Sequence, residues 1–246
     1  MSVADAVAYI RTNADKPHRV PFIPSDPTGQ VVYEAGCGAG LKLLGWAVRG
    51  ARVYGVDGSP AQVARVKAHA AALGVEASIA HGWLENFETL TKDFPRPDLI
   101  VNSAVIHHVS GWRDLLKQFG RVLKPDGILY LTWCDPSLSL AGFNMKNQIA
   151  YRLGWNAKSR TMIGRILFGW WDRNRNKMGV EAESFYADLY AAYYIPITAR
   201  RMCKEIVSAG FDLIESRPML GKGFFRFKHG PRVFVCQKRS ATRVPE

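Results

Sequence analysis

The sequence predicts an α/β protein, a doubly wound and mostly parallel sheet with helices on both faces. Three observations lead there. Short apolar or alternating runs recur, with helical patterns between them, as βαβ units require. The run "VYEAGCGAG", residues 32–40, ends a strand in a glycine-rich turn that opens onto a helix. A second strand, "ARVYGVD", ends on the acidic Asp57, about twenty residues further on.

The elements follow in order. Residues 1–29 read as an N-terminal arm or lid: "ADAVAYIR" suits a short helix, and "KPHRVPFIPSDPTG" is loop, broken by four prolines and a glycine. Gln30 to Ala35 is a first strand, and Leu41 to Arg49 is helical. After the second strand, Ser59-Pro60 marks a helix start, with Ser59 as N-cap and Pro60 at the first helical position. That helix stops at Gly74. "VEASIAHG" is a third strand. "PDLIVNSAV" is a fourth, apolar throughout and so buried on both faces. "GWRDLLKQFGRVL" is a helix, "KPDG" a turn and "ILYLTWC" a fifth strand. "TARRMCKEIVSAG" is a late helix, followed by the strands "FDLIESRPM" and "PRVFVCQKR". The link between them, "LGKGFFRFKHG", is too short for a crossover helix, so the last strand should pair antiparallel.

Residues 136–195 interrupt the rhythm. They are rich in aromatics and arginine and read as a mostly helical lid inserted into a core of residues 30–135 and 196–240.

Composition narrows the class. The chain has 246 residues, 48% hydrophobic and 22% charged, which suits a globular protein able to bury a full core. There is no run of roughly 18 apolar residues, so no membrane span is expected. The start lacks the apolar core of a secretory signal. Cys37, Cys134, Cys203 and Cys236 lie far apart with no CxxC pair. A disulfide framework or a metal site is therefore not expected, and a cytoplasmic setting is. The net charge of +12 attracts anions, such as nucleic acid, acidic lipid or phosphorylated substrates. It equally suits an ordinary basic surface.

The glycine turn admits several chemistries. In open α/β sheets ligands bind outside the carboxyl ends of the strands, where glycines let the backbone come close. Gly36, Gly38 and Gly40 give GxGxG, not the GxGxxG of a dinucleotide site, and no Gly-Lys-Ser/Thr follows. Asp57 can accept both hydroxyls of a ribose. Cys37 needs no role beyond its small size.

In sequence order, "VYEAGCGAG", "VYGVDGSP", "GWLENF", "PDLIVNSAVIHHV" and "RVLKPDGILYLTW" resemble the motifs of the class I S-adenosylmethionine-dependent methyltransferases. The nearest flavour is the small-molecule group that includes quinone-ring methylases. The resemblance spans roughly residues 30–135. It implies a Rossmann-like seven-stranded sheet of order 3-2-1-4-5-7-6, and S-adenosyl-L-methionine as cofactor with S-adenosyl-L-homocysteine as product. It implies roles for residues as well. Glu34 lies near the methionine end, and Gly36, Gly38 and Gly40 let that end pass. Asp57 takes the ribose, flanked by Gly58 and Ser59. Gly82, Trp83 and Leu84 occupy the adenine position. Asn102 and Ser103 line the pocket near the methionine carboxylate. Many relatives carry Asp where Trp83 stands. Trp83 is expected either to stack on the adenine, leaving the amino group to an acceptor such as Glu85, or to be a core tryptophan.

The same resemblance makes His107 and His108 candidate general bases, since a histidine after this strand serves phenolic O-methyltransferases; ring packing or helix capping is the alternative. Trp133 and Asp135 are expected at the mouth of the site as acceptor contacts, with Asp135 equally suited to begin a turn. Tyr186 and Tyr190 of the lid are further candidates. The expected reaction is methyl transfer to an O or N atom of a small aromatic or apolar acceptor. A tRNA-modifying methyltransferase and a non-catalytic cofactor-binding partner subunit are the alternatives, and lipid substrates remain open through the basic, aromatic "GRILFGWWDRNRNK".

Overall fold

A computed structural model describes residues 1–14, 25–134, 195, 197–218 and 231–239. The chain divides into two compact units, Met1–Asp135 with Ile197–Glu246 and Pro136–Pro196. The description below concerns the first.

Seven strands form one sheet: β1 Val31–Ala35, β2 Arg52–Asp57, β3 Ala77–His81, β4 Leu99–Ser103, β5 Ile128–Cys134, β6 Phe211–Pro218 and β7 Pro231–Lys238. The spatial order is β3-β2-β1-β4-β5-β7-β6. The first five are parallel, and β7 runs antiparallel to both β5 and β6. The expected order and the antiparallel last strand both hold. From β1 the chain winds outward through β2 and β3, then returns to place β4 on the other side of β1. The loops leaving β1 and β4 therefore diverge, and a crevice opens between them.

The central strands are apolar because both faces are covered: every residue of β1 is buried, whereas β3 at the edge is only partly so. On one face Val32, Val53, Leu99, Val101, Tyr130, Val233 and Val235 pack beneath α1 Val3–Asn13, α2 Leu41–Val48 and α3 Pro60–Leu73. On the other, Tyr33 meets Tyr54, Phe87 and Phe94 at ring-centroid distances of 5.4, 6.3 and 6.1 Å. Its hydroxyl donates to the Pro95 carbonyl at 2.7 Å, which satisfies its one buried polar atom. The short α4 Phe87–Leu90 and α5 Trp112–Val122 close this face around the edge-to-face pair Phe87–Phe119. A last helix, α6 Ala199–Ser208, begins at an N-cap Thr198 and precedes β6.

The start of the chain forms the expected helix, and that helix packs into the core. α1 spans 11 residues, and Ile10 enters the main core. A capping box sets its beginning: the Ser2 hydroxyl accepts from the Asp5 amide at 3.1 Å, and the Ser2 amide donates back to Asp5 Oδ2 at 3.3 Å. α3 starts and stops where expected, with Ser59 accepting from the Gln62 amide and Gly74 closing it at φ +72°.

Candidate functional site

The crevice is floored by the loop from Gly36 to Gly40. Four contacts hold this loop from outside it, and a fifth holds Ala35 just before it. The amides of Gly36 and Cys37 donate to the Val56 carbonyl at 2.8 and 3.2 Å. The Gly38 amide donates to Asp57 Oδ2 at 2.7 Å. A ring nitrogen of His69 meets the Ala39 carbonyl at 3.0 Å, and Asn102 Nδ2 donates to the Ala35 carbonyl at 2.9 Å. The loop is thus fixed from β2, α3 and β4 at once.

The three glycines do different work. A Cβ on Gly36 would stand 2.6 Å from a methyl of Val105, and one on Gly40 would stand 2.8 Å from a methyl of Val66. Those two are small so that protein can pack against them. Gly38, at φ +52°, has nothing within 4 Å of the position its Cβ would take. Its open side faces the crevice, so a ligand can lie directly on the backbone there. Cys37 points the other way. Its sulfur stands 2.9 Å from where a Cβ of Gly55 would be, and burial pushes the thiol up beyond reach of ionisation. It is a packing residue.

Asp57 ends β2 beside this opening. Its Oδ1 accepts from the Ser59 amide at 2.9 Å while Oδ2 takes Gly38. Each carboxylate oxygen keeps a lone pair for a further donor, such as a sugar hydroxyl. The Trp83 ring lies against the Gly58 backbone, where an added Cβ would approach it to 3.1 Å. With 71% of its surface exposed, Trp83 is no core residue, which removes that alternative. Leu84 beneath it is buried, and Gly82 leaves room for the Leu90 side chain. Glu85 accepts from the Ser110 hydroxyl at 3.1 Å.

The other wall carries acid, cation and hydroxyls. Glu34 is wholly buried, and burial pushes its carboxyl up to about 7 against the opposing pull of Lys42 and the Leu43 amide. Its Oε2 has no hydrogen-bond partner among the described residues. Lys42 Nζ donates to Ser103 Oγ at 2.5 Å, and Ser103 Oγ lies 3.1 Å from Thr132 Oγ1. Ala104, directly after β4, sits at φ +58° without being glycine, and its amide donates to Thr132 Oγ1 at 2.9 Å. That left-handed conformation turns the chain sharply at the rim of the crevice, the kind of strained residue that gathers at ligand sites.

Other expected site residues stand elsewhere. Asn102 has no exposed surface, and both ends of its side chain are used: Nδ2 on Ala35 and Oδ1 accepting the Ile106 amide at 3.2 Å. It braces the loops leaving β1 and β4. Trp133, expected at the mouth, is 1% exposed, and Arg232 of β7 stands opposite it in register. His107 is 2% exposed, and burial, helped by the neighbouring His108, lowers its pKa to about 3. His108, only half-buried, lies 4.2 Å away between ring centroids. Asp135, Tyr186 and Tyr190 lie outside the described residues.

Sequence reasoning overlooked Lys42, His69 and Ala104. His69 was findable: it follows Val66 by three residues on the face of α3 that meets the glycine loop. The conformation of Ala104 leaves no trace in its residue type.

A family model described as a methyltransferase domain matches residues 33–131, which span β1 to β5. The match covers 99 of the chain's 246 residues. The seven-stranded sheet shares its fold with solved S-adenosylmethionine-dependent methyltransferases. A ubiquinone biosynthesis O-methyltransferase of Methylobacterium sp. (strain 4-46) is 28% identical over 150 residues, 61% of this chain and 59% of the relative. The chain thus spans about three fifths of the length of such curated relatives. Among solved structures, an S-adenosylmethionine-dependent methyltransferase from Mesorhizobium loti shares the fold with TM-score 0.59 at 15% identity, covering 93% of this chain and 100% of that one. A magnesium protoporphyrin IX methyltransferase from Synechocystis, crystallised with S-adenosylhomocysteine, matches with TM-score 0.54 at 15% identity, covering 96% of this chain and 81% of that one. In this chain, the open backbone at Gly38, the Asp57 carboxylate and the exposed Trp83 ring fit a nucleoside with an extended tail.

Proposed function

We propose that this chain is an S-adenosylmethionine-dependent methyltransferase acting on an O or N atom of a small aromatic or apolar acceptor. The observation that carries this reading is the open backbone at Gly38 beside the Asp57 carboxylate, at the divergence of β1 and β4. On this reading Asp57 holds the ribose, Trp83 stacks on the adenine, and the tail runs over Gly38 toward Glu34. The cofactor supplies an activated methyl on a sulfonium that leaves readily. The protein's task is then alignment and exclusion of water.

A base is needed only for an acceptor that is protonated at working pH. His107 is too deeply buried to reach one, and its pKa near 3 makes it a poor proton acceptor. His108, half-buried beside it, is the better placed of the pair. Choice of acceptor falls, on sequence grounds, to the aromatic segment 136–195, including Tyr186 and Tyr190, with Asp135 at its start. The small acceptor is supported by the ubiquinone O-methyltransferases among the relatives. No helix among the described residues is long and apolar enough to cross a membrane. Three cysteines, Cys37, Cys203 and Cys236, are free, which suits the reducing cytoplasm we assign to it.

Transfer of radiolabelled methyl from S-adenosylmethionine into a fractionated cell extract tests the reading. Label in the small-molecule fraction supports it. Label in RNA, with binding that weakens steeply in salt, would replace it by the RNA-modifying alternative. Binding of S-adenosylhomocysteine without transfer to any fraction would leave a non-catalytic subunit.

A further inference from the structure

We propose that Lys42 is the anion anchor of the site, binding the α-carboxylate at the amino-acid end of the cofactor from a seat built on Ser103. This rests on the cofactor reading above. The first support is position. Lys42 is the second residue of α2, immediately after the glycine loop, and its side chain spans from that helix to the last residue of β4. The ammonium therefore bridges the two strand ends between which the crevice opens.

The second support is the seat itself. Ser103 Oγ is paired with Thr132 Oγ1 at 3.1 Å, and Thr132 Oγ1 accepts the Ala104 amide at 2.9 Å. Two strands and a strained turn hold the hydroxyl that receives Lys42. Ser103 accepts one of the three N–H donors of the lysine, and an incoming carboxylate can take another.

The third support is electrostatic. A helix N-terminus carries partial positive charge, so a lysine in the first turn is misplaced by the rules of helix stability. α2 has no acidic residue in its first turn to offset it. Glu34 is the buried acid that offsets it in part, and a ligand anion at the crevice would add to that compensation. The order of charges along the crevice fits one ligand type. Asp57 beside Gly38 suits a sugar diol, and Glu34 with Lys42 forms an acid and cation pair suited to the zwitterionic end of an amino acid.

Calorimetric titration with S-adenosylhomocysteine and with 5′-methylthioadenosine, which lacks the amino-acid end, tests this without turnover. Lys42→Met should weaken S-adenosylhomocysteine by about tenfold or more, the usual loss for a charged hydrogen bond. It should leave methylthioadenosine within about twofold, and Lys42→Arg should retain most of the S-adenosylhomocysteine affinity. Unchanged S-adenosylhomocysteine affinity in Lys42→Met overturns the proposal. Equal loss of both ligands does so too, since it would show a disturbed loop. If the wild-type protein binds neither ligand, the cofactor reading itself fails and the anchor with it.

Discussion

The Gly38 amide donates to Asp57 Oδ2 at 2.7 Å, tying the open middle of the glycine loop to the end of the neighbouring strand. The other oxygen of the same carboxylate accepts the Ser59 amide at 2.9 Å. One side chain therefore shapes the loop, starts α3 and offers lone pairs to a ligand.

Both oxygens of Asp57 face N–H donors, so asparagine is not a neutral replacement. Its NH2 group would point at one amide, donor to donor. Asp57→Asn should therefore cost about 1–3 kcal/mol of stability, close to the loss from Asp57→Ala. Both should also abolish measurable S-adenosylhomocysteine binding. Thermal unfolding and calorimetry on the two variants check this. An asparagine variant that unfolds and binds like wild type would contradict the bracing role.

The glycines should separate by what they touch. Gly36→Ala and Gly40→Ala drive a Cβ to within 2.6 and 2.8 Å of the stiff side chains Val105 and Val66. Both positions also sit at positive φ, +77° and +76°, so these variants carry left-handed strain as well as the clash and should lose stability first, by about 2–5 kcal/mol in all. Gly38→Ala meets only open space and adds about 1–2 kcal/mol of left-handed strain. It should unfold later than the other two yet bind S-adenosylhomocysteine worst relative to its stability, because its methyl occupies the ligand's path. Melting temperature and affinity measured on all three variants decide it.

Much of this was legible in the sequence, for a definite reason. The sheet order follows from βαβ rhythm and right-handed crossovers, and Ser59-Pro60 and Gly74 punctuate α3 by local chemistry alone. What the sequence hides is direction. Asn102, Ser103 and Ala104 are consecutive, yet the first is turned inward onto Ala35, the second meets Lys42, and the third takes a left-handed turn. Trp83 and Trp133 are the same residue type beside strand ends; one is exposed and the other buried. Burial depends on neighbours far away in the chain, such as Arg232 opposite Trp133, and no local pattern carries that information.

Two buried groups should give the ligand-free protein opposing pH dependences. The Glu34 carboxyl rises from 4.5 to about 7 on folding, so the stability it contributes is full below pH 4.5 and lost as pH rises through about 7. The His107 ring falls from 6.5 to about 3, so its contribution is full above pH 6.5 and lost as pH falls toward about 3. Between pH 4.5 and 6.5 the two slopes oppose each other in the wild type. Each single variant should unmask the other. Relative to wild type, Glu34→Gln should lose stability faster on acidification, and His107→Gln should gain it, by up to about 1.4 kcal/mol per pH unit. Chemical denaturation at half-unit pH steps measures both. Parallel profiles for wild type and variants would show that neither group titrates abnormally.

Trp83 gives the sharpest test of the adenine end. With 71% of its surface exposed, it contributes little to folding, and Trp83→Ala should shift stability by less than about 0.5 kcal/mol. Stacking of a base on an aromatic ring is worth about 1–3 kcal/mol, so the same variant should weaken S-adenosylhomocysteine by about 5- to 150-fold. Trp83→Phe should keep much of that affinity, because it keeps a π-face. Methylthioadenosine should follow the same ranking, since it retains the adenine, in contrast to its indifference at Lys42. The protein has seven tryptophans, and an exposed indole covered by a purine should dominate the fluorescence change on binding. That change should vanish in Trp83→Ala. A variant that keeps full affinity for both ligands would place the adenine away from Trp83, and the floor at Gly58 with it.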